Sequence, residues 1–370
     1  MKFKALMLSI SLIAFFSTSV VPATQAKDHK EFAALSARLS ESGGFFDSDN
    51  LISNETSYLH VFGKLNEFKT KGGVYIGVGP DQNFTYIAKI RPTRAIMLDI
   101  RRDNLLHHLF FKTLFIQARS RIEYLSLLFG KPFPKTKGWE EKDIKGLVEY
   151  IDSTPSDQKL FDKTLETVRR EVQKYDLKLS ETDLRTIETI QQAFYSAGLD
   201  IRYSSHNRPP RSIYPTYRDL LLEKDLTGQQ NNYLCREDDW QFLKRLQEQD
   251  LIIPCTGDLA GTQAMKAVAK YVNELKEKVS AFYVSNVEFY VHRQGQYDKF
   301  IENVAALPID KNSLIIRSYF NYYAPLHPQY EPNHFSTQLL QRIEDLLKMC
   351  KAGECETYEN VVTKYSIPLR

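Results

Sequence analysis

Short apolar runs alternate along the chain with longer stretches whose apolar residues recur at helical spacing. The apolar runs predict buried strands at 74–78, 95–100, 251–255, 281–287 and 313–319. Strands that alternate with helices favour a parallel sheet whose crossover helices cover both faces. We therefore expect an α/β fold with a doubly wound, mostly parallel sheet.

Amphipathic spacing predicts helices before the first strand and between the others. In the largest helical block, Ser180 has the residue type of an N-cap and Gly198 that of a C-cap. Residues 131–200 show no strand pattern, so we interpret them as a helical insertion or cap on a single α/β domain, 27–370. The predicted helices are 29–41, 56–69, 81–91, 103–129 (which can break in two), 142–198, 261–278 and 296–307.

The first residues have the three-part pattern of a secretory signal peptide. Lys2 and Lys4 precede an apolar run at 6–21, and small residues follow at 24–26. The run is short for a membrane span, which is the alternative, so we predict that 1–26 is a cleaved signal. Because no cysteine follows the segment, a lipid anchor is not expected. The protein would be periplasmic or extracellular, with no membrane span after cleavage.

Charge gives no reason to expect a nucleic-acid partner. The chain has 49 Lys+Arg and 46 Asp+Glu, for a net charge of +3. Removal of 1–26 takes away Lys2 and Lys4 and no acidic residue, which leaves 47 − 46 = +1. A net charge this close to zero gives no global reason to expect binding to phosphate backbones.

Four cysteines are compatible with disulfides in an oxidising compartment. Cys350 and Cys355 would close a short loop after a helix. Cys235 and Cys255 bracket a helix and a strand, and both pairing and buried free thiols remain open for them. Their spacing does not match a zinc site, and we predict no metal site.

A glycine-containing turn follows the first predicted strand, in the sequence GVYIGVGPDQNF. Gly77 suits a tight turn, and Gly79 would let the backbone approach a ligand closely. The next strand ends at Asp99, whose carboxylate is placed to accept hydrogen bonds from a ribose diol. This pattern indicates a nucleoside-binding turn, although a tight strand-to-helix turn with an N-terminal carboxylate cap explains it equally well.

Three residues in and near this turn depart from known fingerprints. Gln82 replaces the third glycine of a dinucleotide site, and Asp81 would repel a pyrophosphate, so NAD and FAD are poor candidates. S-adenosylmethionine carries no phosphate and fits better. However, Tyr75 stands where methyltransferases usually place an acid.

Four stretches carry a resemblance to a known family: GVGPDQNFTYI in this turn, DIRRDNL at 99–105, GDLAG at 257–261 and SNVEFY at 285–290. The chain resembles an uncharacterised family of secreted or lipid-anchored bacterial proteins. The resemblance covers nearly all of the mature chain. It implies a Rossmann-like fold related to S-adenosylmethionine-dependent methyltransferases, and it does not imply a reaction.

Ligands of open parallel sheets bind beyond the carboxyl ends of the strands. Among the polar residues there, the candidate catalytic residues are Asp258 and Glu288, as general bases, and Asn286, which lies beside Glu288 in the sequence. The alternatives are that Asp258 caps a helix or pairs with an arginine, and that Asn286 is a buried, satisfied amide. The predicted ligand-binding residues are Gly77, Gly79, Asp81, Gln82, Asn83, Asp99, Arg101 and Arg102.

Two functions fit these features. One is a binding module whose ancestral cleft is repurposed for a small polar or nucleoside-like ligand. The other is an S-adenosylmethionine-dependent methyltransferase, although its cofactor has no evident supply outside the cytoplasm. A cell-wall sugar is a minor alternative, because Tyr322, Tyr323, Tyr330 and Phe335 in an aromatic stretch have rings that stack on sugars.

Overall fold

Six strands form one sheet in the part of the chain that the structure describes. The structure is a computed structural model, and it describes residues 29–206, 208–321 and 326–370. The strand order is β3-β2-β1-β4-β5-β6; the first five strands are parallel, and β6 is antiparallel to β5. This confirms the predicted α/β, Rossmann-like fold. The strands are β1 Val74–Gly77, β2 Arg94–Asp99, β3 Ile252–Thr256, β4 Val279–Ser285, β5 Leu314–Phe320 and β6 Ser336–Arg342.

Helices precede the sheet, connect its strands and follow it. Seven of them, α4 to α10, lie between β2 and β3, and the block 131–200 contains helices and loops only. The helices are α1 Lys30–Leu39, α2 Phe62–Glu67, α3 Gln82–Ile90, α4 Arg102–Gln117, α5 Arg121–Phe129, α6 Ile144–Ser153, α7 Gln158–Gln173, α8 Glu181–Ala197, α9 Tyr217–Leu222, α10 Glu237–Glu248, α11 Ala264–Glu274, α12 Val287–Arg293, α13 Tyr297–Ala305, α14 Ile343–Lys351 and α15 Tyr358–Thr363.

The sheet separates two hydrophobic clusters. Successive strand residues point to opposite faces, so Tyr75 and Met97 belong to one cluster, whereas Ile76 and Leu98 belong to the other. The first cluster is covered by α3 to α10, and the second by α11 to α14. Helices on both faces explain why the strands read as continuous apolar runs.

Capping residues in the sequence predict several helix boundaries correctly. Ser180 caps α8 in a reciprocal capping box with Asp183, and Gly198 is the C-cap of the same helix. The stretch 103–129 is two helices, with Ser120 as the N-cap of the second.

Two predicted elements need correction, and one strand is missing from the prediction. The predicted strand 281–287 ends at Ser285, because that residue has a φ of +52° and α12 begins at Val287. The predicted helix 56–69 is helical only over α2. The edge strand β6 was not predicted from the sequence, since its Gln338 and Gln341 are polar. Both are buried and paired to β5, where Ser318 and Arg317 donate to their side chains at 2.7 and 2.6 Å.

The segment before α2 crosses the carboxyl-terminal edge of the sheet. The Glu41 N–H donates to the Thr256 carbonyl and the Gly44 N–H donates to the Ile100 carbonyl, each at 2.8 Å. Gly43 permits this approach, because a Cβ there would lie 2.9 Å from the Thr256 methyl carbon. Residues 40–56 are therefore held over the strand ends.

The cysteines confirm one predicted disulfide and exclude another. Cys350 and Cys355 are bonded, with their Cα atoms 4.8 Å apart. Cys235 and Cys255 are free, so the pairing considered for them is wrong. They lie against opposite clusters of the sheet, and the sheet separates their thiols.

Two further predictions concern the membrane. The predicted signal segment, 1–26, lies outside the described residues. None of the helices in the described ranges combines the length and apolar character that crossing a bilayer requires.

The cysteine assignment can be tested by alkylation of the unfolded protein. Without a reductant, we expect N-ethylmaleimide to modify Cys235 and Cys255 only, because Cys350 and Cys355 form the disulfide. After reduction, all four thiols should react. Peptide mapping by mass spectrometry measures both states. Labelling of Cys350 before reduction, or protection of Cys255 in the unfolded chain, would contradict the assignment.

Candidate functional site

A cavity of about 540 Å³ opens at the carboxyl ends of the parallel strands. Its volume lies in the usual range for small-molecule sites, roughly 300–1,000 Å³. The chain lays down β2 and β3 on one side of β1 and then β4 on the other, so β1 and β4 flank the topological switch point. This is the position where doubly wound sheets bind ligands. We call this cavity the cleft.

Gly79 lies at the surface of the cleft, in the turn after β1. Its φ of +84° is accessible to glycine and strained for other residues. The His108 Nε2 lies 2.9 Å from the Gly79 carbonyl and holds the turn from the opposite side. Backbone atoms of the turn therefore face the cleft in a fixed conformation.

Gly77 and Asn83 maintain this turn from inside the protein. A Cβ on Gly77 would lie 1.9 Å from the Asn83 Oδ1, so glycine makes room for the amide. The Asn83 Nδ2 donates to the carbonyls of Val78 and Pro80 at 2.9 and 2.8 Å, and its Oδ1 accepts from Tyr75 at 2.8 Å. Neither Gly77 nor Asn83 is among the residues that line the cleft.

Asp81 points away from the cleft into the core. Its carboxylate accepts hydrogen bonds from the hydroxyls of Tyr217 and Tyr233 at 2.5 and 3.2 Å. Although it is the N-cap residue of α3, its side chain makes no capping hydrogen bond. Burial raises its pKa to about 6, against the opposing effect of the tyrosine hydrogen bonds.

Asp99 and Arg101 line the cleft and contact each other. The Asp99 Oδ1 accepts from the Arg101 N–H at 2.9 Å and lies 3.4 Å from the Arg101 Nε. The Arg101 guanidinium also donates to the carbonyls of Ser48 and Asp49, at 3.2 and 3.0 Å. The Asp99 Oδ2 has no hydrogen bond to another described residue, so it is available to accept one from a ligand.

Arg102 and Gln82 have structural partners elsewhere. Arg102 forms a bidentate pair with Asp183 at the start of α8, at 2.8 and 3.0 Å, and does not line the cleft. The Gln82 Nε2 donates to Glu55 at 2.9 Å and to the Tyr283 hydroxyl at 3.0 Å. Gln82 therefore positions groups that line the cleft without lining it itself.

Glu55 is a cleft residue that the sequence analysis missed. Its side chain is 1% exposed, and its carboxylate accepts from Tyr283 at 2.8 Å, from Gln82 and from the Ser285 hydroxyl. It lies in the polar stretch 45–55, which has no periodic pattern. No local signal marks it, because the partners of its carboxylate come from α3 and β4.

Ser285 adopts its left-handed conformation at the end of β4, beside Glu55. A residue with a Cβ in this region costs roughly 1–2 kcal/mol. The register of β4 with β5 shifts between Tyr283 and Ser285, which turns the hydroxyl toward Glu55. Strain of this kind is common at functional sites.

The three candidate catalytic residues do not form one group. Asp258 and Asn286 line the cleft and are half-buried. Asp258 accepts from the Ala260 N–H at 2.9 Å and pairs with neither Arg101 nor Arg102. The described structure therefore supports neither alternative proposed for Asp258, since its hydrogen bond closes a loop before α11.

Glu288 lies in a buried ion pair instead. It is on α12, and Arg317 donates to both its carboxylate oxygens, at 2.5 and 3.2 Å. The Tyr297 hydroxyl donates to Glu288 at 2.9 Å. Since Glu288 is 1% exposed and does not line the cleft, its contacts are those of a structural residue.

Aromatic rings supply much of the cleft surface. The rings come from the segment over the strand ends, from the loop before α9, from the ends of β4 and β5, and from α12 and α15. Tyr75 and Phe84 are buried in the first cluster and leave the space above Gly79 open. The aromatic residues of the cleft are Phe45, Phe46, Tyr203, Tyr214, Tyr283, Phe289, Tyr290, Tyr319, Phe320 and Tyr358.

Of the residues that are proposed to stack on sugars, the two that the structure describes do not line the cleft. Phe335 packs against Tyr214 and Phe320, at ring-centroid distances of 5.6 and 5.7 Å, and does not line the cleft. Tyr330 does not line it either. Tyr322 and Tyr323 lie outside the described residues.

The raised pKa of Asp81 predicts a pH-dependent effect on stability. The folded state keeps the proton to about pH 6, whereas the unfolded state releases it near 3.8, so stability falls as pH rises between these values. Relative to wild type, Asp81→Asn should therefore gain on the order of 3 kcal/mol between pH 4 and pH 7. Urea unfolding measures the difference. A constant difference across this range, or the same change in the exposed control Asp238→Asn, would contradict the shift.

Comparison with known proteins places the chain in a family. No curated protein matches it. One family model, described as a domain of unknown function, matches residues 51–366, which is most of the chain. The match includes Glu55, the glycine turn, Asp99 and all six strands. The chain therefore belongs to the DUF7790 family.

Proposed function

We propose that this protein binds a small polar, nucleoside-like ligand in the cleft, on a methyltransferase-like scaffold whose cofactor site is repurposed. The main support for this proposal is that the turn at Gly79 and the carboxylate of Asp99 line the same cavity at the switch point of the sheet. In this arrangement, one ligand can lie close to the backbone of the turn and also donate a hydrogen bond to Asp99.

The chemistry of the cleft supports a ligand that has both hydroxyls and a planar ring. The Asp99 Oδ2 can accept from a diol, because Arg101 occupies the other oxygen. The aromatic rings that line the cleft add apolar surface of the kind on which a base stacks. The half-buried Asn286 amide adds both a donor and an acceptor.

The residues that pack beneath the glycine turn favour a repurposed cofactor site over a site that still transfers methyl groups. Tyr75 occupies the position at which methyltransferases carry an acid, and its hydroxyl donates to Asn83 inside the protein. Strand β1 therefore lacks the carboxylate that, in methyltransferases, would bind the amino group of S-adenosylmethionine.

Methyl transfer remains the second candidate because the cleft is open above Gly79. An adenosyl group has space there, with Asp99 beside it. The reaction would need a methyl acceptor within the cleft, so release of S-adenosylhomocysteine on addition of an acceptor would distinguish an enzyme from a binding protein.

Calorimetric titration with S-adenosylhomocysteine and S-adenosylmethionine tests the nucleoside assignment. We expect micromolar binding that Asp99→Asn weakens roughly tenfold or more, since a hydrogen bond to a charged group contributes about 1.5–3 kcal/mol. Asp238→Asn is the matched control, because it removes a carboxylate whose side chain is 84% exposed on α10. Absence of binding, or equal binding by Asp99→Asn, would count against this ligand class.

We also propose that the protein is exported. The disulfide between Cys350 and Cys355 supports an oxidising compartment, and the sequence of 1–26 has the pattern of a signal peptide. On expression in a bacterial host, we expect an amino terminus near Lys27 in the periplasmic or extracellular fraction. Mass spectrometry of the intact protein measures it. Recovery of the full-length chain in the cytoplasm would contradict export.

A further inference from the structure

We propose that Glu55 is a second anionic ligand contact of the cleft, beside Asp99, and that it binds a cationic group of the ligand, an ammonium or a sulfonium. This assignment rests on the proposed function, since it concerns the same cavity. It adds a residue that the glycine-turn pattern does not contain, and it narrows the ligand to one that carries a positive charge.

The hydrogen bonds of Glu55 leave its charge without a counterion. Its donors are the Gln82 amide, the Tyr283 hydroxyl and the Ser285 hydroxyl, all of which are neutral. Within the described ranges, no lysine, arginine or histidine nitrogen forms an ion pair with it. Hydrogen bonds from neutral donors offset part of the cost of burying a carboxylate, and a positive group beside it would offset more.

Other buried carboxylates of this protein are neutralised or lie away from the cleft. Asp99 contacts Arg101, and Glu288 is paired with Arg317. Asp81 also lacks an ion-pair partner among the described residues, but it faces two tyrosines in the core. Glu55 combines burial, a cleft-lining position and neutral partners.

Three arginines line the cleft, and two of them are directed to other groups. The Arg101 guanidinium contacts Asp99 and the carbonyls of Ser48 and Asp49. Arg208 pairs with Asp47 in an exposed position. The third, Arg211, is exposed and forms no ion pair with Glu55 within the described ranges. The position of a cation beside Glu55 is therefore open to a group of the ligand.

The surroundings of Glu55 suit an alkylated cation. Tyr283 contacts it directly, and further aromatic rings, including Tyr290 and Phe320, line the same cavity. The faces of aromatic rings attract ammonium and sulfonium groups. The strained backbone of Ser285 keeps a hydroxyl on the carboxylate and so fixes its orientation.

Choline and its neutral carbon analogue, in which a tert-butyl group replaces the trimethylammonium group, provide the probe. Titration monitored by NMR should show that the wild-type protein binds choline on the order of tenfold more tightly than the analogue. Glu55→Gln should remove this preference, Glu55→Asp should retain part of it because the charge remains, and Asp238→Asn should leave it unchanged.

Equal binding of choline and the analogue by the wild-type protein would overturn the assignment, whether or not Glu55→Gln folds. An undiminished preference in folded Glu55→Gln would overturn it too. If S-adenosylhomocysteine binds while choline shows no preference, the cation assignment fails and the proposed function stands. If neither choline nor S-adenosylhomocysteine binds, both fail.

Discussion

The hydrogen bonds to the Glu55 carboxylate are the constraint on which the cleft depends. They join the segment over the strand ends to α3, through Gln82, and to β4, through Tyr283 and Ser285. These three parts of the chain meet at the point where the order of strands reverses. Without these hydrogen bonds, fewer contacts would hold residues 40–56 across the edge of the sheet. The side of the cleft that residues 40–56 form would then be lost.

The sheet could be predicted because its strands are buried on both faces. The runs around Ile76 and Leu98 are mostly apolar, and this pattern can be recognised without knowing which strands they pair with. By contrast, β6 keeps Gln338 and Gln341 in the interior, and only their hydrogen bonds to β5 make such burial favourable. The end of β4 was misread for a related reason, since the backbone of Ser285 leaves the strand under tertiary constraint.

The sequence predicts residues of the candidate site only where they lie at or just after the ends of predicted strands. Gly79, Asp99, Arg101, Asp258 and Asn286 follow strand ends and line one cavity, as expected for a parallel sheet. Glu55 carries no such signal, because its carboxylate partners are 27, 228 and 230 residues away in the chain. Gly77 shows the reverse case. Its spacing resembles a ligand-binding pattern, but the space that it leaves is filled by Asn83.

Occlusion of the cleft provides the most direct test of the account. Asn286 lines the cavity, and the one hydrogen-bond contact of its side chain among the described residues is a 3.5 Å contact with Ser285. Asn286→Trp should therefore fill the space at little cost to the fold. Thermal unfolding of the wild type and of Asn286→Trp should be measured against a panel of nucleosides and polar amines. The account predicts compounds that raise the melting temperature of the wild type and not that of the variant. Equal stabilisation of both proteins, or none of the wild type, would contradict it.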